Sequence, residues 1–346
     1  MATPDRYHRQ RLVDGIGDQG QLAISNSVVA IVGVGALGCM SASILARAGV
    51  GNLVLIDRDI VETTNLQRQV LFTEEDAESQ QPKASIAASR LAKVNSEIKI
   101  TPHVEDLTSR NIHRLLDGVD VIVDGLDNFN ARYLLNDFAV KTNTPFMFAG
   151  VIAGQGNVMT VIPETTPCLR CLFPNPPAPG SQDTCDTVGV LAPAIGIAAS
   201  CQCMDVIKYL TSNEEKISRT LLTFDLWNSE SNRISYGEPN ETCPCCGQLD
   251  FEYLNETVSD PVSLCGRLAV LLPSIDAFDL EMATKKLQEH GSFELSDTMV
   301  RGEFHEERAP DGSAIKMLCF HDGRSIIHGT DDIRRAKAIF ERYVGN

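Results

Sequence analysis

Residues 28–40 read VVAIVGVGALGCM, a β-branched apolar run that breaks into three glycines, Gly33, Gly35 and Gly38. A continuous Val/Ile-rich run is the pattern of a strand buried on both faces. The stretch that follows, ALGCMSASILARAGV, carries helical periodicity. The G-x-G-x-x-G spacing therefore falls in a strand-to-helix turn. There the first glycine permits the tight turn, the second lets backbone N–H groups approach phosphate, and the third lets helix and strand pack closely. Asp57 ends the next apolar run, NLVLID, where a carboxylate grips ribose hydroxyls. The loop speaks for a nucleotide; its spacing alone leaves NAD and ATP open.

Outward from this loop the chain alternates strand and helix. NLVLIDRD, KITPHVED, VDVIVDGLDN and PFMFAGVIAG read as strands, and PKASIAASRLAKVN, SRNIHRLLDG and ARYLLNDFAVKTN read as helices. Residues 5–25 read as one amphipathic helical segment ahead of the first strand. Strands alternating with helices at this spacing predict an α/β, Rossmann-like, doubly wound sheet that is parallel in its N-terminal half. Beyond residue 152 come QGNVMTVIP, a Pro-rich loop, the helix APAIGIAASCQCMDVIKYLT and a hairpin over LLTFDLWNSESNRISYG. A polar stretch near residue 255 marks a boundary. The reading is an ATP-binding domain over 1–255 and a small C-terminal α+β accessory domain over 256–346.

The 346 residues carry 30 Lys and Arg against 46 Asp and Glu, a formal net charge of −16. That balance disfavours a broad nucleic-acid or anionic-membrane surface, though it leaves room for a nucleotide held by a few local cations. No apolar run is long enough for a membrane helix and MATPDRYHRQRL is no signal peptide, so a cytoplasmic protein is expected.

The segment after Asp57 argues against hydride transfer. DRDIVETTNLQRQVLF brings Asp57, Asp59, Asn65, Gln67, Arg68 and Gln69; QQPKA adds Lys83; DGLDNFNAR adds Asp127 and Asn128. Cations aimed at one pocket suit a triphosphate. A carboxylate at the C-terminal end of a strand, such as Asp127, suits Mg2+ between phosphate oxygens.

Taken together, GxGxxG, DxDxVxxxNLxRQ, PKA and DxxDNxxxR resemble the ThiF/MoeB/HesA family, bacterial relatives of ubiquitin-activating enzymes, from residue 5 to about 250. The resemblance implies a homodimer in which each subunit binds MgATP and adenylates the C-terminal glycine of a ubiquitin-fold sulfur carrier of MoaD or ThiS type, one that ends in Gly-Gly and feeds molybdopterin or thiamin synthesis. By its motifs, Asp57 holds the ribose, Asn65, Arg68 and Lys83 contact the phosphates, and Asp127 is the Mg2+-coordinating catalytic carboxylate. RYHRQ matches the family's N-terminal motif, so Arg9 would reach into the neighbouring subunit's site. A sulfurtransferase or cysteine desulfurase is the further partner that such a carrier implies. The family also holds members that activate a small molecule, a peptide or a modified tRNA base, which is the alternative reading.

Eleven cysteines are present. Cys168–Cys171 and Cys243–Cys246 form two C-x-x-C pairs, the four-thiolate set of a structural Zn2+, and the family has such a site at matching positions. Cys245 remains an alternative ligand. Cys185 reads as lying in a polar loop just before a helix, whose N-terminus could lower a thiol pKa, and it matches a family cysteine that forms a thioester or persulfide in some members and is dispensable in others. Cys39, Cys201 and Cys203 read as packing residues. In the C-terminal domain Cys265, Arg267, His321, Asp322 and Arg324 stand out, but HDGR reads as an ordinary turn between strands. That domain lacks the cysteine-centred loop of a rhodanese and is expected to dock a carrier or other partner.

Overall fold

The computed structural model describes residues 5–176, 185–255, 262–263, 268–273, 279–296 and 299–345; the side chains of residues 185, 186, 262 and 263 lie outside that description. The chain divides into two compact units, Met1–Thr257 and Val258–Asn346.

The first unit begins with α1 (His8–Arg11) and α2 (Gly17–Asn26). These are two helices where the sequence suggested one, because Gly15 and Gly17 turn the chain between them at φ +90° and +57°. Then follow β1 (Val28–Val32), α3 (Ala36–Ala48), β2 (Asn52–Ile56), a short 3-10 turn (Thr63–Asn65), α4 (Glu74–Glu78), α5 (Lys83–Val94) and β3 (Lys99–His103). Next are α6 (Ile112–Leu116), β4 (Val121–Asp124), α7 (Phe129–Thr142), β5 (Phe146–Ile152) and β6 (Gln155–Val161). The unit closes with α8 (Leu169–Leu172), α9 (Cys185–Val188), α10 (Ala192–Leu210), the hairpin β7 (Thr220–Asp225) and β8 (Glu230–Ser235), and α11 (Glu252–Asn255).

Its sheet runs β3-β2-β1-β4-β5-β6-β7-β8. The first five strands are parallel and the last three pair antiparallel. The order reverses between β1 and β4, the switch point where doubly wound sheets hold ligands beyond their strand ends. Alternation along β1 explains the two-sided core. Val29 and Ile31 pack with Leu45, Leu91 and Val206, whereas Ala30 and Val32 pack with Leu135, Phe138 and Phe146.

The second unit holds β9 (Val262–Ser263), β10 (Ala269–Leu272), α12 (Leu280–Gln288), β11 (Gly291–Leu295), β12 (Met299–Arg308), β13 (Ala314–Phe320), β14 (Ser325–His328) and α13 (Ile333–Tyr343). The sheet order is β11-β12-β13-β14-β10-β9, with every pair antiparallel. Phe293, Phe304, Met317 and Ile327 meet Leu287 and Ile339 in its core. Among the described residues no helix is long and apolar enough to cross a membrane.

Candidate nucleotide site and cysteine cluster

At the switch point two turns interlock. Gly33 takes φ +87°, and its N–H donates to the Ile56 carbonyl at 2.8 Å. A Cβ on Gly38 would lie 1.9 Å from the Gly33 carbonyl oxygen, and one on Gly125 would lie 2.1 Å from the same atom. Gly38 thus does what its spacing foretold. Gly125, the second residue of DGLDN, is a fourth member that the G-x-G-x-x-G pattern does not contain. It locks the β4–α7 turn against the β1–α3 turn. Gly35 stands open, with the Gln69 amide nitrogen 3.9 Å from where a Cβ would be.

Asp57 lies just beyond β2. Its two carboxylate oxygens accept from the Val34 and Asp59 backbone N–H groups, each at 2.6 Å. Burial pushes its pKa up, opposed by the Lys83 charge. Lys83, 3% exposed, opens α5 and donates to Asp59 Oδ2 at 3.0 Å. Gln69 is 4% exposed, and its Oε1 is a buried acceptor with no partner among the described residues. An open buried acceptor beside a glycine loop suits a donor on a ligand. Asn65 is buried and caps the turn through Glu62 N–H, 3.2 Å from its Oδ1, while Arg68 is half-buried and donates to the Thr64 carbonyl at 2.9 Å.

β4 ends at Asp124, so Asp127 lies exposed in the following turn and not at the strand end itself. Asn128 caps α7 by accepting from Ala131 N–H at 2.9 Å. Beneath them lies a buried network that motif reading left unassigned. Arg132 donates to Asp124 Oδ2 at 2.8 Å, to the Leu126 carbonyl at 2.6 Å and to the Ala149 carbonyl at 2.9 Å. Gln202 on α10 donates to the Asp124 and Met147 carbonyls at 3.0 and 2.7 Å. Asp124 and Arg132 stand eight positions apart in DxxDNxxxR, one at the end of β4 and the other in α7, so no single-element periodicity marks them as a pair. Arg58, inside DRD, was also passed over; its Nη1 lies 3.0 Å from Asp106 Oδ2.

The structure thus brings together Gly33, Gly35, Gly38, Asp57, Asp59, Gln69 and Lys83. Arg9 stands apart on α1, exposed, with no side-chain hydrogen bond or ion pair to another described residue. The backbone of Cys185 begins α9, but its side chain lies outside the described residues, as do Cys265 and Arg267. Arg324 is buried, donates to Asp322 Oδ2 at 2.8 Å and lies over the Phe320 ring at 3.7 Å, an ordinary turn anchor.

The sulfurs of Cys168, Cys171, Cys243 and Cys246 lie within 4.8 Å of one another. The Cys168–Cys243 and Cys171–Cys246 separations are 3.6 and 3.3 Å. A tetrahedron with 2.3 Å Zn–S arms has edges of about 3.8 Å, so four thiolates so placed fit one zinc ion. Cys245 is buried and its Sγ accepts from Asn136 Nδ2 at 3.2 Å. Cys203 and Cys39 are buried, and Cys201 is half-buried.

The description "ThiF family" matches residues 7–245. The chain is 40% identical over 344 residues to the sulfur carrier protein ThiS adenylyltransferase of Bacillus subtilis, covering 98% of this chain and 99% of that one. It is 36% identical over 244 residues to the SAMP-activating enzyme E1 of Haloferax volcanii, covering 70% and 89% of the two chains. Similarity to the adenylyltransferase and sulfurtransferase MOCS3 of Anopheles gambiae is 39% identity over 70% of this chain and 55% of that one. A crystal structure of E. coli MccB with ATP superposes with a TM-score of 0.61 at 25% identity, over 71% of this chain and 75% of that one. With its glycine lock and a match through residues 7–245, the chain belongs to the ThiF family.

Proposed function

We propose that this chain is an ATP-dependent adenylyltransferase that activates the C-terminal glycine of a ubiquitin-like sulfur carrier of the ThiS class. The observation that carries the choice of carrier is the extent of similarity. The ThiS adenylyltransferase matches through both units, over 98% of the chain, whereas the SAMP-activating enzyme and MOCS3 match over 70%.

The carrier's terminal carboxylate attacks the α-phosphorus of ATP; the acyl adenylate forms and pyrophosphate leaves. Such a reaction asks the protein for alignment and neutralisation of charge, with little covalent chemistry of its own. The glycine loop and the N-terminus of α3 receive phosphate, and Asp57 accepts from the ribose hydroxyls. Lys83 leaves Asp59 for the phosphate oxygens, joined by Asn65 and Arg68. Asp127 and Asn128 face the phosphates, where Mg2+, when bound, neutralises oxygens of the departing pyrophosphate. Arg9, exposed and without a side-chain hydrogen bond or ion pair among the described residues, fits a role across the interface of a homodimer. Cys168, Cys171, Cys243 and Cys246 hold a structural Zn2+. Cys185 serves the later sulfur step, fed by a sulfurtransferase or cysteine desulfurase, and the second unit docks the carrier.

The test is carrier-dependent exchange of pyrophosphate into ATP, with a ThiS-class protein ending in Gly-Gly as carrier. Wild type should exchange and Asp127→Ala should not, with unfolding unchanged. Exchange driven by a free peptide and not by the carrier would instead select the MccB-like reading. A variant ending at residue 255 should lose apparent affinity for the carrier while retaining affinity for ATP.

A further inference from the structure

In a doubly wound sheet the ligand crosses the strand ends outward from the switch point. Here the glycine loop after β1 takes phosphate and Asp57 after β2 takes ribose, so the base continues over the ends of β2 and β3. Those ends are joined, since Asp57 N–H donates to the His103 carbonyl at 3.1 Å. The side chain at that place is Arg58. Its Nη1 pairs with Asp106 Oδ2 at 3.0 Å, from the loop after β3, and its Nε lies 3.8 Å from Asp59 Oδ1. About a quarter of its side chain, 25%, stays exposed. Burial works against its charge, but Asp106, Asp59 and Asp127 together hold it firmly protonated. This cation is therefore surrounded by the carboxylates of three separate turns, each at the carboxyl end of a strand.

We propose that Arg58, steered by Asp106, packs its guanidinium plane against the base of the bound nucleotide and favours a purine there. The inference rests on the reading of this cleft as an ATP site. A guanidinium is planar and weakly hydrated and stacks on aromatic faces, and a purine offers it the larger face. The phosphates have cations of their own in Lys83 and Arg68, whereas Arg58 is paired across the ends of β2 and β3.

The experiment is calorimetric binding, without carrier, of MgATP, MgCTP and inorganic tripolyphosphate to the full chain. Arg58→Ala should weaken ATP about tenfold, the size of one desolvated cation–π contact. It should weaken CTP less and leave tripolyphosphate unchanged. Arg58→Lys keeps the charge without the plane and should not restore ATP affinity. Asp106→Asn should give a smaller loss, of about threefold. Where Arg58→Ala unfolds, Arg58→Met preserves the apolar stem and carries the same expectations. ATP affinity within twofold of wild type in these variants, or an equal loss for ATP and tripolyphosphate, overturns the proposal. Binding of ATP without carrier-dependent exchange would overturn the carrier reading alone and leave this comparison intact.

Discussion

Replacing Gly38 by alanine tests whether the glycine lock positions the site or merely tolerates small residues. The added Cβ would lie 1.9 Å from the Gly33 carbonyl oxygen. A relaxed carbon–oxygen contact is about 3.3 Å, so α3 and the loop must part by about 1.4 Å. Overpacking of this kind costs about 1–3 kcal/mol. Alanine is the better helix former by about 1 kcal/mol, so net destabilisation stays near or below about 2 kcal/mol. The site suffers more: displacement of a positioning element by about 1 Å can lower a rate by about 100-fold. Urea unfolding and carrier-dependent pyrophosphate exchange on the same preparation should show that mismatch, a folded protein with kcat/KM for ATP down by roughly two orders of magnitude. Gly196→Ala in α10 is the control, because its Cβ would meet only Met40 Cε at 3.8 Å. If Gly38→Ala exchanges pyrophosphate as well as Gly196→Ala does, the lock does not position the phosphates.

Elemental analysis should find about one zinc per chain by the four-thiolate rule; Cys246→Ala should lose it, and Cys245→Ala should keep it. Cys39 and Cys203 are each pushed up to about 12 by burial, from an ordinary 9.0. The folded chain keeps these protons while the unfolded chain releases them near 9, so stability is full below that pH and falls as pH rises above it. Cys39→Ala should flatten the decline by up to about 1.4 kcal/mol per pH unit, read by urea titrations between about pH 8 and 10.5; an unchanged slope would show that the thiol is not held neutral. Mixing an Arg9→Ala chain with an Asp127→Ala chain should restore part of the exchange activity, since one site of the mixed dimer then has both residues. A mixture no more active than its parents would place Arg9 outside the partner's site.

The parallel half of the fold was legible because burial on both faces writes itself as unbroken Val, Ile and Leu runs separated by helical periods. The single helix expected over residues 5–25 failed for a local reason: amphipathic spacing persists through Gly15 and Gly17, but positive φ at both breaks the hydrogen-bond ladder. Glycine spacing announced Gly33 and Gly38, each through its own chain neighbourhood. Gly125 was silent, since its need arises from a carbonyl some ninety positions away, at Gly33. Asp124, Arg132 and Gln202 were silent in the same way. A buried ion pair and an amide that bridges two strand ends depend on long-range contact, which no periodicity encodes. The cysteine set was the opposite case, because ligand spacing within each pair is local and only the meeting of the pairs is tertiary.

That meeting bears on the nucleotide site as well as on stability. Cys168 and Cys243 are 75 positions apart, yet their sulfurs lie 3.6 Å from each other. The interval they enclose holds Cys185, all of α10 and the β7–β8 hairpin. From α10, Gln202 reaches the Asp124 and Met147 carbonyls, and Asp124 in turn takes Arg132 and the Leu126 N–H. The turn bearing Asp127 therefore rests on a buried network with one anchor on the helix inside the enclosed loop and another on the glycine lock. Closing a loop of this length removes about 4–5 kcal/mol of chain entropy from the unfolded state. A metal at the cluster would thus hold in register the segment whose α10 supports the turn bearing Asp127.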